Sequence, residues 1–248
     1  MADTPPLIGR DWALFLDVDG TLLDYAPRPD LVHVPATLRP LLAALSAALD
    51  GSLAVVSGRT IADVERLLAP LRLPMAGQHG AEISRDDREL VLAQSPSALA
   101  AILAPVYGYA QSRPAIRIED KGLSAAIHYR GAEEERDRLV EILSDAVAES
   151  GSEFEVLQGH LVFDVRQRRM NKGAAVAWFM AEAPFAGRVP VFVGDECTDE
   201  DGFAAVLARG GLAIRIGHGG ETIAPFSLAS PAELRAWLDR SVAALVGK

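Results

Sequence analysis

The chain has 248 residues, of which half are hydrophobic and about a quarter are charged, so we expect a folded globular protein of one large or two modest domains. Its net charge of −10 at pH 7 argues against nucleic acid as a partner, because binding to a phosphate backbone requires a cationic face. A lone cysteine, Cys197, excludes an internal disulfide, and no apolar run approaches the roughly 20 residues of a membrane span, so we expect a cytoplasmic protein with no membrane contact.

Strands and helices alternate in the first part of the chain. Residues 12–18 form an apolar run that ends in acids and glycine, which is typical of a buried strand followed by a turn. A helix at 36–49, a second buried strand at 53–56 and a helix at 60–68 follow. This alternation predicts a parallel α/β sheet.

The middle of the chain has a different pattern, in which a helix followed by two short strands occurs twice. The predicted helices are 96–111 and 132–150, and the predicted strands are 115–119, 123–129, 153–157 and 161–165. Short turns at 120–122 and 158–160 predict antiparallel hairpins. We therefore expect residues 95–168 to form an inserted α+β domain, with an antiparallel sheet and two helices, between two parts of a core at 1–94 and 169–248.

The alternating pattern resumes after this insert. The predicted helices are 171–183, 198–208 and 231–246, and the predicted strands are 189–193 and 212–216. Together with the first part, they complete an α/β core, and ligand sites favour the cleft between two such domains.

A motif with two aspartates, Asp17 and Asp19, follows the first strand and continues through Gly20 and Thr21. Ligands of open α/β sheets bind beyond the carboxyl ends of the strands, where these acids lie. Asp17 can attack phosphorus as a nucleophile, while Asp19, folded back by the turn at Gly20, can protonate the leaving group and later deprotonate water. Two carboxylates repel a phosphate, so a cation is required, and hard oxygen ligands select Mg²⁺. The alternative is a solvated acidic turn with Gly20 at positive φ.

A second polar turn, formed by Ser57, Gly58 and Arg59, follows the second buried strand. A hydroxyl and backbone N–H groups at such a turn can hold a phosphoryl oxygen. The alternative is a plain turn that leads into the helix at Thr60.

Lys172 lies in the first turn of a predicted helix, where its charge opposes the helix dipole at a cost of about 0.3–1 kcal/mol. A phosphate between Lys172 and Asp17 would offset that cost. The alternative is a surface lysine that follows Asn171 as the helix N-cap. The neighbouring basic residues, at 166–169, either serve the anion or are solvated hinge residues.

An acidic block follows the strand at 189–193. Asp195 comes directly after the strand and suits a metal ligand, and Thr198 can cap the next helix. Asp199 either helps to cap this helix or belongs to the outer shell of the metal, while the acids at 200–201 complement the helix dipole. Cys197 is interpreted as a small packing residue, because nothing nearby lowers its pKa.

Taken together, these motifs resemble those of the haloacid-dehalogenase superfamily of aspartate-nucleophile phosphatases. Within that superfamily the chain is similar to the trehalose-6-phosphate phosphatase family. The similarity extends from about residue 12 to about residue 240, and beyond the motifs above it includes residues 77–82, 119–121, 128–130, 171–173 and 194–203.

The resemblance implies a Rossmann-like core with a mobile cap, and Mg²⁺-dependent hydrolysis of trehalose 6-phosphate, a small molecule, through an aspartyl-phosphate. The implied catalytic residues are Asp17, Asp19 and Lys172, and the implied metal site comprises Asp17, Asp19 through its backbone carbonyl, Asp195 and Asp199. The implied substrate-binding residues are Thr21, Ser57, Gly58, Arg59, His79, Glu119 and Lys121. Glu119 and Lys121 would recognise sugar hydroxyls, or form an ordinary charged turn, and His79 lines the cleft or satisfies a buried turn.

Two departures from the family pattern concern the sugar more than the phosphate. Glu196 stands where the family has an aspartate, and Asp164 stands where it often has a glutamate. One alternative function is therefore hydrolysis of another sugar phosphate, such as sucrose phosphate or mannosyl-3-phosphoglycerate. A catalytically silent sugar-phosphate sensor is a further alternative, and it would be marked by the loss of Asp17, Asp19 or Lys172, which are all present.

Overall fold

The computed structural model describes residues 3–26, 31–85, 88–92, 96–151, 153–159, 161–217 and 220–247. The first part of the chain forms β1 (Trp12–Leu16), α1 (Leu38–Ala48), β2 (Leu53–Val56), α2 (Ile61–Leu68), β3 (Met75–Gly77), β4 (Glu82–Arg85) and β5 (Arg88–Val91). The middle part forms α3 (Pro96–Ala110), β6 (Arg117–Asp120), β7 (Ala125–His128), α4 (Arg136–Glu149), β8 (Phe154–Gly159) and β9 (Val162–Gln167). The last part forms α5 (Lys172–Met180), β10 (Val189–Gly194), α6 (Glu200–Leu207), β11 (Leu212–Ile216), β12 (Phe226–Leu228) and α7 (Pro231–Val246).

The large sheet has eight strands in the order β12-β11-β10-β1-β2-β3-β4-β5. The strands from β12 to β3 pair in parallel, and β4 and β5 add an antiparallel extension. The predicted α/β class with a parallel sheet is therefore confirmed. Strands β3, β4, β5 and β12 were not predicted, because β3 and β12 have three residues each and β4 carries charged and polar side chains without a clear apolar alternation.

Each face of this sheet supports its own apolar cluster. In β1 the side chains of Leu14 and Leu16 point to one face, and those of Ala13 and Phe15 point to the other. Helices α1, α2 and α7 cover the first face, while α5 and α6 cover the second. Because both faces are buried, the strand reads as a continuous apolar run, and this explains why the sequence predicted it.

The second sheet is antiparallel, with the order β6-β7-β9-β8. Its apolar face packs against α3 and α4 to form a separate core that includes Ile127, Leu143 and Phe163. This confirms the predicted antiparallel sheet with two helices. The predicted turn at 120–122 joins β6 to β7, with Gly122 at φ +84°, whereas position 160 of the other predicted turn lies outside the described residues.

Among the helices of the described segments, none is long and apolar enough to cross a membrane.

Candidate active site

Neighbouring strands of the large sheet bring the polar motifs together. In the order β10-β1-β2, the carboxyl ends of the strands lead directly to Asp195, Asp17 and Ser57. The register is fixed beyond the strand ends, since Asp17 N donates to Val193 O at 3.0 Å. The polar residues of three sequence-distant motifs therefore meet at one edge of the sheet.

The amino group of Lys172 links two of these carboxylates. Lys172 Nζ donates to Asp17 Oδ1 at 2.7 Å and to Asp199 Oδ1 at 2.6 Å. Lys172 is 2% exposed and Asp17 is 5% exposed, so the surface-lysine and solvated-turn alternatives are wrong for these residues. Asn171 caps α5 by accepting from Ala174 N at 2.8 Å, which leaves Lys172 as the first helical residue with its side chain turned into the site.

Burial and charge oppose each other in this group. Burial raises the pKa of Asp17 well above its ordinary value, against the attraction of Lys172. Burial acts to lower the pKa of Lys172, but the charges of Asp17 and Asp199 outweigh it and raise that pKa. Two buried carboxylates thus offset the unfavourable position of Lys172 at the helix N-terminus.

A cluster suited to a cation is formed by Asp17, Asp195 and Asp199, each of which offers a carboxylate oxygen within 4.8 Å of the others. Burial, followed by the negative charge of Asp199, raises the pKa of Asp195 to about 7. Hard carboxylate oxygens grouped in this way suit a hard divalent cation. A cation there would restore the ionised form of Asp195.

Two residues of the loop after β1 shape this cluster. Thr21 Oγ1 donates to Asp195 Oδ1 at 2.7 Å, so this buried hydroxyl orients Asp195 from behind and does not line the cleft. Gly20 adopts φ +75°, and a Cβ placed there would lie 2.1 Å from Asp195 Oδ2. Glycine is therefore required at this position both for the backbone and for the space beside Asp195.

The N-cap of the turn that follows β10 differs from the one predicted from the sequence. Glu196, not Thr198, is the N-cap of a 3₁₀ turn at Cys197–Asp199, in a reciprocal arrangement with Asp199. Asp199 Oδ2 accepts from the backbone N–H groups of Asp195 and Glu196 at 2.9 and 2.8 Å. Asp199 therefore helps to cap this turn, and its carboxylate is also one of the three that form the cluster with Asp17 and Asp195.

The same turn corrects the interpretation of Cys197, which is exposed rather than packed. The residue as a whole is exposed, but its thiol group is partly buried against Gln158 O, and this burial, followed by the charges of nearby carboxylates, raises the pKa of Cys197 and disfavours the thiolate.

Arg59 holds the second aspartate of the first motif. Arg59 Nε and Nη2 donate to Asp19 Oδ2 and Oδ1 at 2.6 and 2.7 Å, a two-point contact. Ser57 Oγ accepts from Arg59 N at 3.2 Å. The predicted phosphate-binding turn thus lies directly beside the predicted general acid.

A cleft separates these groups from the second sheet. Side chains alternate along β6, β7 and β9, so that one set packs into the apolar core with α3 and α4 and the other set faces the cleft. The cleft-facing set is Arg117, Glu119, Ala126, His128, Val162 and Asp164. Seven side chains with cationic or titratable nitrogen groups line the cleft of this acidic chain, and they are Arg59, His79, Arg117, Lys121, His128, Arg130 and Lys172.

Glu119 and Lys121, the predicted sugar-recognising pair, both line this cleft. His128 Nε2 lies 3.1 Å from Glu119 Oε2, and this hydrogen bond is the main cause of a lowered pKa of Glu119. Lys121 Nζ donates to Gly58 O at 2.9 Å. The hairpin that carries the pair therefore contacts the core at the turn after β2.

His79 lines the cleft and lies beneath Gly58, where an added Cβ would meet the imidazole ring at 2.6 Å. Its Nε2 is 3.7 Å from Asp164 Oδ1, beyond hydrogen-bond length. Burial lowers the pKa of His79, so the ring is neutral at pH 7.

Arg166 lies in the basic stretch before Lys172, and it is neither a ligand of the anion site nor a solvated hinge residue. Arg166 is 3% exposed and pairs with Glu155 at 2.9 Å and with Asp201 at 2.5 Å. Because Glu155 lies on β8 and Asp201 on α6, this arginine joins the second sheet to the core. Arg168 is exposed.

Sequence reasoning missed several residues of the site. Tyr25 places its hydroxyl 2.6 Å from both Asp195 Oδ2 and Glu196 Oε1, and it lies in a loop without a repeating pattern that could have predicted it. Arg117 and His128, by contrast, could have been found, because they occupy the same face as Glu119 in a strand pattern of period two.

Comparisons with known proteins agree with this geometry. A family model described as trehalose-phosphatase matches residues 15–232. The chain belongs to the trehalose-phosphatase family. The resemblance inferred from the motifs is thereby confirmed.

Relatives of this family member cover most of its length. It is 38% identical over 249 aligned residues to the trehalose-6-phosphate phosphatase of Escherichia coli (strain K12), with 100% of this chain and 92% of that protein covered. It is 33% identical to a trehalose-phosphate phosphatase of Mycobacterium tuberculosis, with 94% of this chain and 62% of that protein covered.

Solved structures show the same architecture. A trehalose-6-phosphate phosphatase related protein aligns with a TM-score of 0.77 and 27% identity, covering 95% of this chain and 99% of that one. The C-terminal domain of the Candida albicans trehalose-6-phosphate phosphatase aligns with a TM-score of 0.84 and 21% identity, covering 97% and 98%. The latter supports the fold alone, in agreement with the core and second sheet described above.

Proposed function

We propose that this chain hydrolyses trehalose 6-phosphate to trehalose and phosphate, with Mg²⁺ and an aspartyl-phosphate intermediate on Asp17. The observation that carries the proposal is the buried group formed by Asp17, Lys172 and Asp199 beside Asp195, at the floor of a cleft whose opposite wall is the cap sheet. A nucleophile, a fixed cation, acids able to hold a metal and a polar wall for the sugar are the parts of a phosphoryl-transfer site.

In the proposed first step, a carboxylate oxygen of Asp17 bonds to phosphorus and the bond from phosphorus to the sugar oxygen breaks. Asp19 gives its proton to the departing sugar oxygen. Arg59 now holds Asp19, so we propose that this pair opens as substrate enters. Lys172, placed 2.7 Å from Asp17, balances charge on the transferred group.

In the proposed second step, Asp19 takes a proton from water while the water oxygen bonds to phosphorus. The bond between Asp17 and phosphorus then breaks, which releases phosphate and restores both carboxyl groups to their starting states. Splitting one displacement into two in this way is what a carboxylate nucleophile offers.

We propose that Asp17, the backbone carbonyl of Asp19 and Asp195 would hold Mg²⁺, with Asp199 in its outer shell. The fit is supported by the cluster of carboxylates and by the space beside Asp195 that the glycine at position 20 leaves. When bound, the ion supplies positive charge against the phosphate oxygens. Thr21 and Tyr25 would orient Asp195 through their hydroxyl groups.

For substrate binding, we propose that Ser57, Gly58 and Arg59 contact the phosphate and that Glu119, Lys121 and His79 contact the sugar. Residues 95–168 would form the cap and residues 1–94 and 169–248 the catalytic core. We further propose that the reaction takes place in the cytoplasm, where a chain with one cysteine, Cys197, has no need of an oxidising compartment.

One assay tests the function. Phosphate release is measured from trehalose 6-phosphate, sucrose phosphate, mannosyl-3-phosphoglycerate and p-nitrophenyl phosphate, each with Mg²⁺ and with EDTA. We expect the highest kcat/KM for trehalose 6-phosphate and loss of activity in EDTA. A higher kcat/KM for another sugar phosphate would show that this other compound is the substrate. No phosphate release from any of the four compounds would contradict the assignment as a phosphatase.

A further inference from the structure

The turn at Gln78–Gly80 has an uncommon backbone conformation. Consecutive φ angles are +47° at Gln78, +60° at His79 and +102° at Gly80. Non-glycine residues adopt the left-handed region only when the surrounding structure holds them there. The surroundings do so here, because Gln78 N donates to Arg59 O at 2.8 Å and His79 N donates to Ser57 O at 2.9 Å.

This conformation presents the side chain of Gln78 to the second sheet. Gln78 Oε1 accepts hydrogen bonds from Leu123 N at 3.3 Å, from Ser124 N at 3.0 Å and from Ser124 Oγ at 3.0 Å. Gln78 and Ser124 are each 2% exposed. One buried core oxygen thus takes three hydrogen bonds from the hairpin that joins β6 to β7.

That hairpin also carries the proposed sugar-reading residues. Lys121 N donates to Ser124 O at 2.9 Å, which closes the turn, and Lys121 Nζ reaches Gly58 O. Glu119 lies just before the turn and faces the cleft. Any shift of Ser124 relative to the core therefore moves Lys121 and Glu119 relative to Asp17.

Gln78 does not contact the cleft itself. The described residues that line it include the next residue, His79, but not Gln78. Within the part of the chain that the structure describes, the hydrogen bonds of its side-chain oxygen are all to Leu123 and Ser124, so that group acts on a bound molecule through the hairpin.

We propose that Gln78 is a positioning residue that seats the β6–β7 hairpin on the core and so determines affinity for the sugar part of the substrate. This rests on the proposed function, in which the cap contacts the sugar while Asp17 reacts with the phosphate. The consequence is selective: loss of the contact weakens binding of a sugar phosphate more than binding of a phosphate ester without a sugar.

The kinetic test uses four variants of the full chain. Gln78→Met keeps the length of the side chain and removes the acceptor, whereas Gln78→Glu keeps an acceptor for the same donors. Ser124→Ala removes one donor from the cap side, and it serves if Gln78→Met fails to fold. Gln111→Met is the matched control, because Gln111 is exposed at the end of α3.

We expect Gln78→Met to raise KM for trehalose 6-phosphate on the order of tenfold. The factor by which it raises KM for p-nitrophenyl phosphate should be several-fold smaller. Ser124→Ala should show a smaller rise of the same kind, while Gln78→Glu and Gln111→Met should stay near the unaltered chain. Equal changes of KM with both substrates would overturn the proposal.

A second measurement does not depend on turnover. Hydrogen exchange followed by mass spectrometry reports on the amides of Leu123 and Ser124, which donate to Gln78. We expect exchange in this peptide to be roughly tenfold faster in Gln78→Met and unchanged in Gln111→Met. Unchanged exchange in folded Gln78→Met would overturn the proposal whatever the substrate. Faster exchange in a chain that hydrolyses no sugar phosphate would instead contradict the proposed function.

Discussion

Removal of the charge of Lys172 should destabilise the core strongly. Its ammonium group contacts Asp17 at 2.7 Å and Asp199 at 2.6 Å, and all three side chains are at least nine-tenths buried. Lys172→Met would leave two buried carboxylates without their cation, and breaking a buried ion pair costs about 3–5 kcal/mol. For a chain of this size, we expect the melting temperature to fall by about 6–20 °C.

The assay is differential scanning calorimetry in EDTA, so that no divalent ion can replace the lost charge. Asp199→Asn added to Lys172→Met removes one of the two carboxylates and keeps an oxygen for the backbone N–H groups of Asp195 and Glu196. The double variant should therefore recover about 1–2 kcal/mol relative to Lys172→Met.

The control is Arg66→Met, which breaks an exposed ion pair with Asp63. Such pairs contribute about 0–1 kcal/mol, so its melting temperature should change little. The reasoning is refuted if Lys172→Met is no more destabilising than Arg66→Met, or if Asp199→Asn brings no recovery.

Three further predictions concern the cleft, the metal cluster and a buried histidine. Glu119→Ala should raise KM for trehalose 6-phosphate more than KM for p-nitrophenyl phosphate, because it faces the sugar side of the cleft; equal rises in steady-state kinetics would remove that role. Gly20→Ala puts a Cβ 2.1 Å from Asp195 Oδ2, so the Mg²⁺ concentration for half-maximal activity should rise about 10–100-fold, and an unchanged Mg²⁺ titration would contradict this. His79 has a lowered pKa from burial, so the unfolded chain binds a proton that the folded chain does not as the pH falls below about 6.5, and stability is lost in that range. The test is a series of urea titrations from about pH 7 to about pH 5 on the unaltered chain and on His79→Asn, since asparagine tolerates the left-handed backbone. The free energy of unfolding should fall less steeply with falling pH in His79→Asn, by up to about 1.4 kcal/mol per pH unit. Parallel slopes for the two chains would refute the argument.

The parts of the site that could be predicted from the sequence are those that a strand pattern places. Asp17, Ser57 and Asp195 each follow a continuous apolar run, and parallel strands bring such ends to one edge. Helix α7 and strands β2 and β11 were predicted with the bounds observed, because their apolar periodicity ends at clear punctuation such as Pro231.

Other features depended on tertiary contacts that no local pattern contains. Thr198 was expected to cap the helix after β10, but the N-cap residue of α6 is Asp199, and Glu196 caps the 3₁₀ turn before it in a reciprocal arrangement with Asp199. Tyr25 reaches the cluster from an irregular loop, and Gln78 reaches the hairpin only through a left-handed backbone. These depend on the meeting of distant segments, which spacing along the chain does not encode.

The covalent step on Asp17 is tested most directly by trapping the intermediate. Enzyme in turnover with trehalose 6-phosphate and Mg²⁺ is quenched with borohydride, which reduces an acyl phosphate to an alcohol, and the peptides are analysed by mass spectrometry. The account predicts homoserine at position 17, dependent on substrate and absent from Asp17→Asn. Sustained phosphate release with an unmodified Asp17, or with the reduced residue elsewhere in the chain, would contradict it.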